Sequence, residues 1–135
     1  MIINNMDKTY ILAAFNDHFL HLVEDIRTVF PDNTDIAAVI LALTTLRKAN
    51  PRLIMLSFKE HVVSIYRKEI ENGDINFFID NDYKNDLTRV GVKPTNQVLE
   101  KIECLKGPIR EMDKNDQDNV IKYLQNLTKL SDLYV

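Results

Sequence analysis

His18, His21 and Asp25 are the residues of this chain whose types and spacing come nearest to a reactive group. Spacings of three and four keep all three on one edge of an α-helix, where imidazole nitrogen and carboxylate oxygen suit zinc. A structural zinc site takes four ligands and a catalytic one three plus water, and His61 is the only further histidine. His61 follows Phe58 by three residues and precedes Ile65 by four, the setting of a core histidine. No metal and no cofactor is expected. Asp80, Asp82 and Asp86, with Asp74 upstream, offer oxygens to calcium or magnesium. The EF-hand pattern fails, because Lys84 and Asn85 stand where that loop wants an oxygen ligand and a glycine, and Gly91 where it wants its closing glutamate. Capping of short helical turns accounts for these acids. Ser57, Ser64 and Cys104 have no glycine-framed elbow or local base, so no catalytic residue is assigned and a non-enzymatic protein is expected.

Basic residues gather around Asn50-Pro51. Arg47, Lys48 and Arg52 flank that turn and Lys59 follows, which makes these four the candidate phosphate or nucleic-acid contacts of a helix-turn-helix-like patch. Two considerations weigh against them. Arg47 and Lys48 end a predicted helix, where the helix dipole favours positive charge in any case, and Glu60, Glu69 and Glu71 dilute the patch. Across the chain 17 Lys and Arg face 20 Asp and Glu, a formal net charge of −3, which supplies no global positive field for nucleic acid. The single cysteine, between Ile102 and Leu105 in an apolar stripe, forms no intramolecular disulfide and fits a reducing compartment. No charged, then apolar, leader opens the chain, and no run approaches the ~20 apolar residues of a membrane span. The expectation is a soluble intracellular protein that is not secreted, in which Asn126-Leu127-Thr128 is a chance sequon.

The elements that must position these residues are helices. Phe30-Pro31-Asp32-Asn33, Asn50-Pro51 and Asn72-Gly73 interrupt three apolar stripes, because proline lacks the N–H of a helix interior and glycine readily takes the left-handed turn that ends one. The first helix runs from an Asp7 cap to about Phe30, burying Ile11, Phe15, Phe19, Leu22, Ile26 and Val29 and leaving Asn16, Asp17, Glu24 and Arg27 largely for solvent. Asn33 or Thr34 caps a second helix to about Ala49, with Ile36, Val39, Ile40, Leu43 and Leu46 as its stripe. A third follows Asn50-Pro51, with Ile54, Phe58, Val62, Ile65 and Tyr66. Short connections give an up-down-up bundle.

Residues 74–87 carry Ile75, Phe77, Phe78 and Ile79, too apolar for a free loop, and are expected to plug an open end or side of the bundle. Residues 88–94 read as a linker. Thr95 then caps a helix with Val98, Leu99, Ile102 and Leu105, which Gly107-Pro108 breaks, and a last helix from about Asn115 carries Val120, Ile121, Leu124, Leu127 and Leu130. The expected fold is all-α: a three-helix bundle with a short helical plug in residues 1–87, and a C-terminal helical pair in 95–135. Two short helices bury little alone, so a second copy of the chain is the expected supply of surface. Phe77, Phe78, Ile102, Leu105, Leu124 and Leu127 are the candidate interface.

Phe15-Asn16-Asp17-His18-Phe19 with Asp25, Phe30-Pro31-Asp32-Asn33, Arg47-Lys48-Ala49-Asn50-Pro51-Arg52, Gly73-Asp74-Ile75-Asn76-Phe77-Phe78-Ile79 and Asp82-Tyr83 resemble a group of small proteins encoded by large DNA viruses of algae and protists. The resemblance spans about residues 10–87. It implies a viral origin, a place in the host cytoplasm, nucleus or virion, and a role in virion structure or viral gene expression. The expected function is accordingly a helical protein-interaction or virion assembly component, with nucleic-acid binding or transcription as the alternative.

Overall fold

A computed structural model describes residues 5–80 and 97–134, and among these every regular element is helical: the fold is all-α. Helix α1 spans Asn5–Val29, so Asp7 lies within its first turn rather than at its cap. Its expected face is buried at Ile11, Phe15, Phe19, Leu22 and Ile26, while Val29, its last residue, is exposed. Helix α2 spans Thr34–Ala49, and Asn33 caps it by accepting from the backbone N–H groups of Asp35 and Ile36 at 2.9 and 3.2 Å. Those two donors have no partner inside the helix, which is why an asparagine stands there.

The third predicted helix is divided. Helix α3 (Leu53–Phe58) passes through a π-helical turn, Lys59–Val63, into α4 (Ser64–Glu71), where Tyr66 departs from helical geometry at φ −116° and ψ 20°. A π turn accommodates one extra residue, which rotates everything beyond it about the helix axis. Val62 and Val63 are consequently both buried, and Ile65, expected in the stripe, is only half-buried. Gly73, at φ +71°, ends α4 with paired bonds from Gly73 N–H to the Ile70 carbonyl and from Asp74 N–H to the Glu69 carbonyl, at 3.0 and 2.9 Å.

Helix α5 (Asn76–Asp80) follows, its first turn capped by the Asp74 carboxylate, which accepts from Asn76 N–H at 2.9 Å. Phe77 lies 4.9 Å from the Tyr66 ring. After α6 (Gln97–Cys104) come α7 (Lys106–Glu111) and α8 (Lys114–Leu133), the last capped by Asp113. The break expected at Gly107-Pro108 falls at Leu105: α6 ends at Cys104, whose carbonyl Pro108 four residues on cannot bond, and Pro108 itself sits in the first turn of α7, where its missing N–H has no intrahelical partner to lose. Cys104 is exposed rather than part of the apolar stripe. The expected linker 88–94, the Thr95 cap, and Asp82, Tyr83 and Asp86 lie outside the described residues.

The six residues expected to form an intermolecular surface need correction. Phe77, Phe78, Ile102, Leu105, Leu124 and Leu127 are all buried in one hydrophobic cluster with Phe15, Phe19 and Phe58 of the first helices. The C-terminal stripes find their apolar surface in cis, since α8 packs along α1 and α4. Polar contacts fix that docking. Gln125 donates to the Ile70 carbonyl at 3.0 Å, Arg67 grips Asp132 through two bonds of 2.9 and 2.8 Å, and Lys59 donates to the Tyr134 carbonyl at 2.9 Å.

Candidate functional site

Helices α1 and α2 run in opposite directions, joined at one end by the Phe30–Asn33 turn and tied near the other by Arg47 Nη1 donating to Asp17 at 2.7 Å. Between them lies a groove of about 520 Å³. Thr9, Leu12 and Ala13 form its α1 wall, Thr44, Arg47 and Lys48 its α2 wall, and Pro51 closes it. Asn16 lines the groove as well, and it is 3% exposed. Its Nδ2 donates to the Pro51 carbonyl at 2.9 Å. A carbonyl only accepts, so this bond fixes which way the amide points. The other end, Oδ1, is buried with no hydrogen-bond partner. The cost of such an unmet acceptor is about 1–3 kcal/mol. Arg47 is 31% exposed and gives one Nη1 bond to Asp17, while Lys48 is exposed at the groove's rim.

The histidine edge of α1 is arranged differently. His18 packs against Tyr123 of α8 with ring centroids 4.7 Å apart and the rings tilted by 40°, and the Tyr123 hydroxyl donates to Asp25. That bond to a carboxylate, reinforced by burial, pushes the Tyr123 hydroxyl up to about 12. Burial, and then the neighbouring His21, hold the His18 imidazole below its ordinary value, and its Nε2 is buried without a hydrogen-bond partner. His21 is exposed, so the three residues are not drawn onto one point. Among the described residues, no group of three or more His, Cys, Asp or Glu is placed to hold a metal ion. His61 is half-buried, with Nε2 3.9 Å from the exposed Glu60 carboxylate.

The four basic candidates do not form one patch. Lys59 is turned to the Tyr134 carbonyl after the last helix, and Arg47 faces Asp17, which leaves Lys48 and Arg52 exposed. No protein-family model, curated protein or solved structure matches this chain. The site is therefore read from its own chemistry. Sequence reasoning assigned Asn16 to solvent, although its position four after Leu12 and three before Phe19 places it within the buried arc of α1. That phase was the available signal.

Proposed function

We propose that this chain is a non-enzymatic helical interaction protein whose recognition face is α2 and the groove beside it. One observation carries the reading: from Ile36 to Leu46 no residue of α2 is charged, yet Ala37, Ala38, Thr45 and Leu41, the last at 69% exposure, face outward. A helix apolar on all sides is normally covered, so an uncovered one favours a partner surface. Leu41, Thr44, Thr45 and Lys48 share one stripe, which continues into the groove through Thr44 and Lys48. Tyr10, 75% exposed, stands three residues before Ala13 on the facing helix. The partner is another protein or a second copy of this chain. A virion or assembly role follows if the viral resemblance holds.

Leu41→Asp tests this. It adds a charge to the exposed stripe without entering the core, and it is expected to abolish retention of the partner recovered with the wild-type chain while leaving the helical circular dichroism unchanged. Equal retention by both chains would exclude the α2 face. Exposure of Lys48 and Arg52 at a single turn favours a second reading, nucleic-acid binding, for which Lys48→Glu with Arg52→Glu removes salt-sensitive retention on heparin. The first reading expects no such retention.

A further inference from the structure

We infer that α2 pairs with α2 of a second copy of this chain, antiparallel and about a two-fold axis at Leu41. The inference rests on the interaction reading above and names the partner. Helix α2 buries Ile36, Val39 and Leu43 against the core, and its opposite side exposes Thr34, Ala37, Ala38, Leu41, Thr45 and Lys48. Steps of three and four between these positions keep them on one stripe, the seam spacing of paired helices. Leu41, the large apolar residue of that stripe, is 69% exposed and stands at the middle of Thr34–Ala49.

That placement makes the face complementary to itself. A half-turn about Leu41 that reverses the helix sets Ala37 opposite Thr45 and Ala38 opposite Thr44 of the second copy, so small side chains flank the central leucine pair and let the helices approach closely. Charge then selects the direction. Asp32 and Asp35 are exposed at the N-terminal end of α2, Lys48 and Arg52 at the other, and among the described residues none of the four makes an ion pair. Antiparallel pairing brings each acidic end beside the other copy's basic end, whereas parallel pairing would set like charges together. The second copy supplies this complement of size and charge by identity. At about 1.5 Å per residue, its 16 residues make α2 about 24 Å long and, side chains included, about 10 Å wide. One helix face of that extent is smaller than the ~800 Å² per partner of a standard stable interface, so the pair is a reversible dimer of micromolar affinity.

Sedimentation of the full chain, from low to high micromolar concentration, is expected to show a reversible monomer–dimer equilibrium. Leu41→Asp, which sets two carboxylates against each other at the axis, is expected to keep the chain monomeric throughout with unchanged circular dichroism. Cross-linking reads the direction. In a Cys104→Ser background, Leu41→Cys is expected to form a disulfide-linked dimer on mild oxidation at least about tenfold faster than Lys48→Cys, because the axis brings the two thiols at position 41 together. Antiparallel order holds the two copies of position 48 about 21 Å apart along the helices, beyond the reach of a disulfide. A full chain that stays monomeric at high micromolar concentration overturns the inference, and release of a retained protein by Leu41→Asp would then leave the α2 face standing with a different occupant. A dimer that persists in Leu41→Asp also overturns it, placing self-association on another face. So does cross-linking at Lys48→Cys as fast as at Leu41→Cys, the signature of parallel order.

Discussion

His18 shows what one side chain does when a helix face turns out to be an interface. Its imidazole titrates below the ordinary 6.5 because burial against Tyr123, and then His21, disfavour the charged form. The unfolded chain therefore binds a proton that the folded chain resists, and stability falls as pH drops below about 6.5 toward the folded value. Thermal unfolding followed from pH 7.5 to 5 should show this loss, and His18→Phe should remove much of it. Asp132 contributes in a separate window. Its bonds to Arg67 hold it below the usual carboxylate range, so its stabilisation is present above about pH 4 and fades as the folded carboxylate protonates. At Phe58, edge-on to Phe15 at 5.6 Å and almost fully buried, truncation to Ala should cost about 3–5 kcal/mol in chemical denaturation. A cost under about 1 kcal/mol would place the ring outside the core. Phe58 was legible because periodicity reports large apolar residues. Asn16 and Cys104 were not, since a polar residue inside a buried arc and a thiol facing outward both contradict the hydrophobic pattern used to place them.

Helix boundaries were legible where a single residue's chemistry decides them. Asn33 supplies an oxygen to two N–H groups, and Gly73 occupies φ +71°, so both read directly from residue type. Asp113 was missed as the cap of α8, although it performs the same service for Asp116 N–H at 2.8 Å, because Asp116 and Asp118 nearby offer equal local claims. The π turn at Lys59–Val63 left no local signal. It arises from packing, where Met55, Val62 and Val63 must all reach a core that a regular helix would present to only some of them. Gly73 allows a clean measurement at this scale. A Cβ there would meet only Gln125 Nε2, at an ordinary 3.8 Å, so the backbone alone resists substitution. Gly73→Ala should destabilise by about 1–2 kcal/mol, the left-handed penalty of an L-residue, and Gly73→Asn by less. Equal stability of all three in urea would mean that the turn re-forms without positive φ.

At the scale of the molecule, the two ends of the chain complete each other. A small void of about 20 Å³ marks where they meet, lined by Phe19, Phe58 and Val62 from the first helices and by Ile102, Val120 and Leu124 from the last. Sequence patterning identified every one of these stripes, but periodicity reports that a face is buried and not what buries it, which is how two C-terminal helices were expected to need a second chain. The void is wholly apolar, so Val120→Ile, directing one methyl into it, should raise stability by about 0.5 kcal/mol in urea denaturation. Removing the C-terminal helices is the sharper test of shared core. A chain cut after Asp80 exposes Phe19, Leu22, Phe58, Val62 and Tyr66 together with Phe77 and Phe78, and it loses the bonds from Gln125 to Ile70 and from Arg67 to Asp132. Each large side chain returned to water costs about 1.5–3 kcal/mol, and a domain's whole stability is about 5–15 kcal/mol. The truncated chain is therefore expected to keep fluctuating helix, bind hydrophobic dye and lack a cooperative thermal transition, as measured by circular dichroism and calorimetry. A cooperative transition with the full chain's midpoint would show that residues 5–80 close a core of their own, and residues 97–134 would then be an appended element whose apolar stripes merely rest against it.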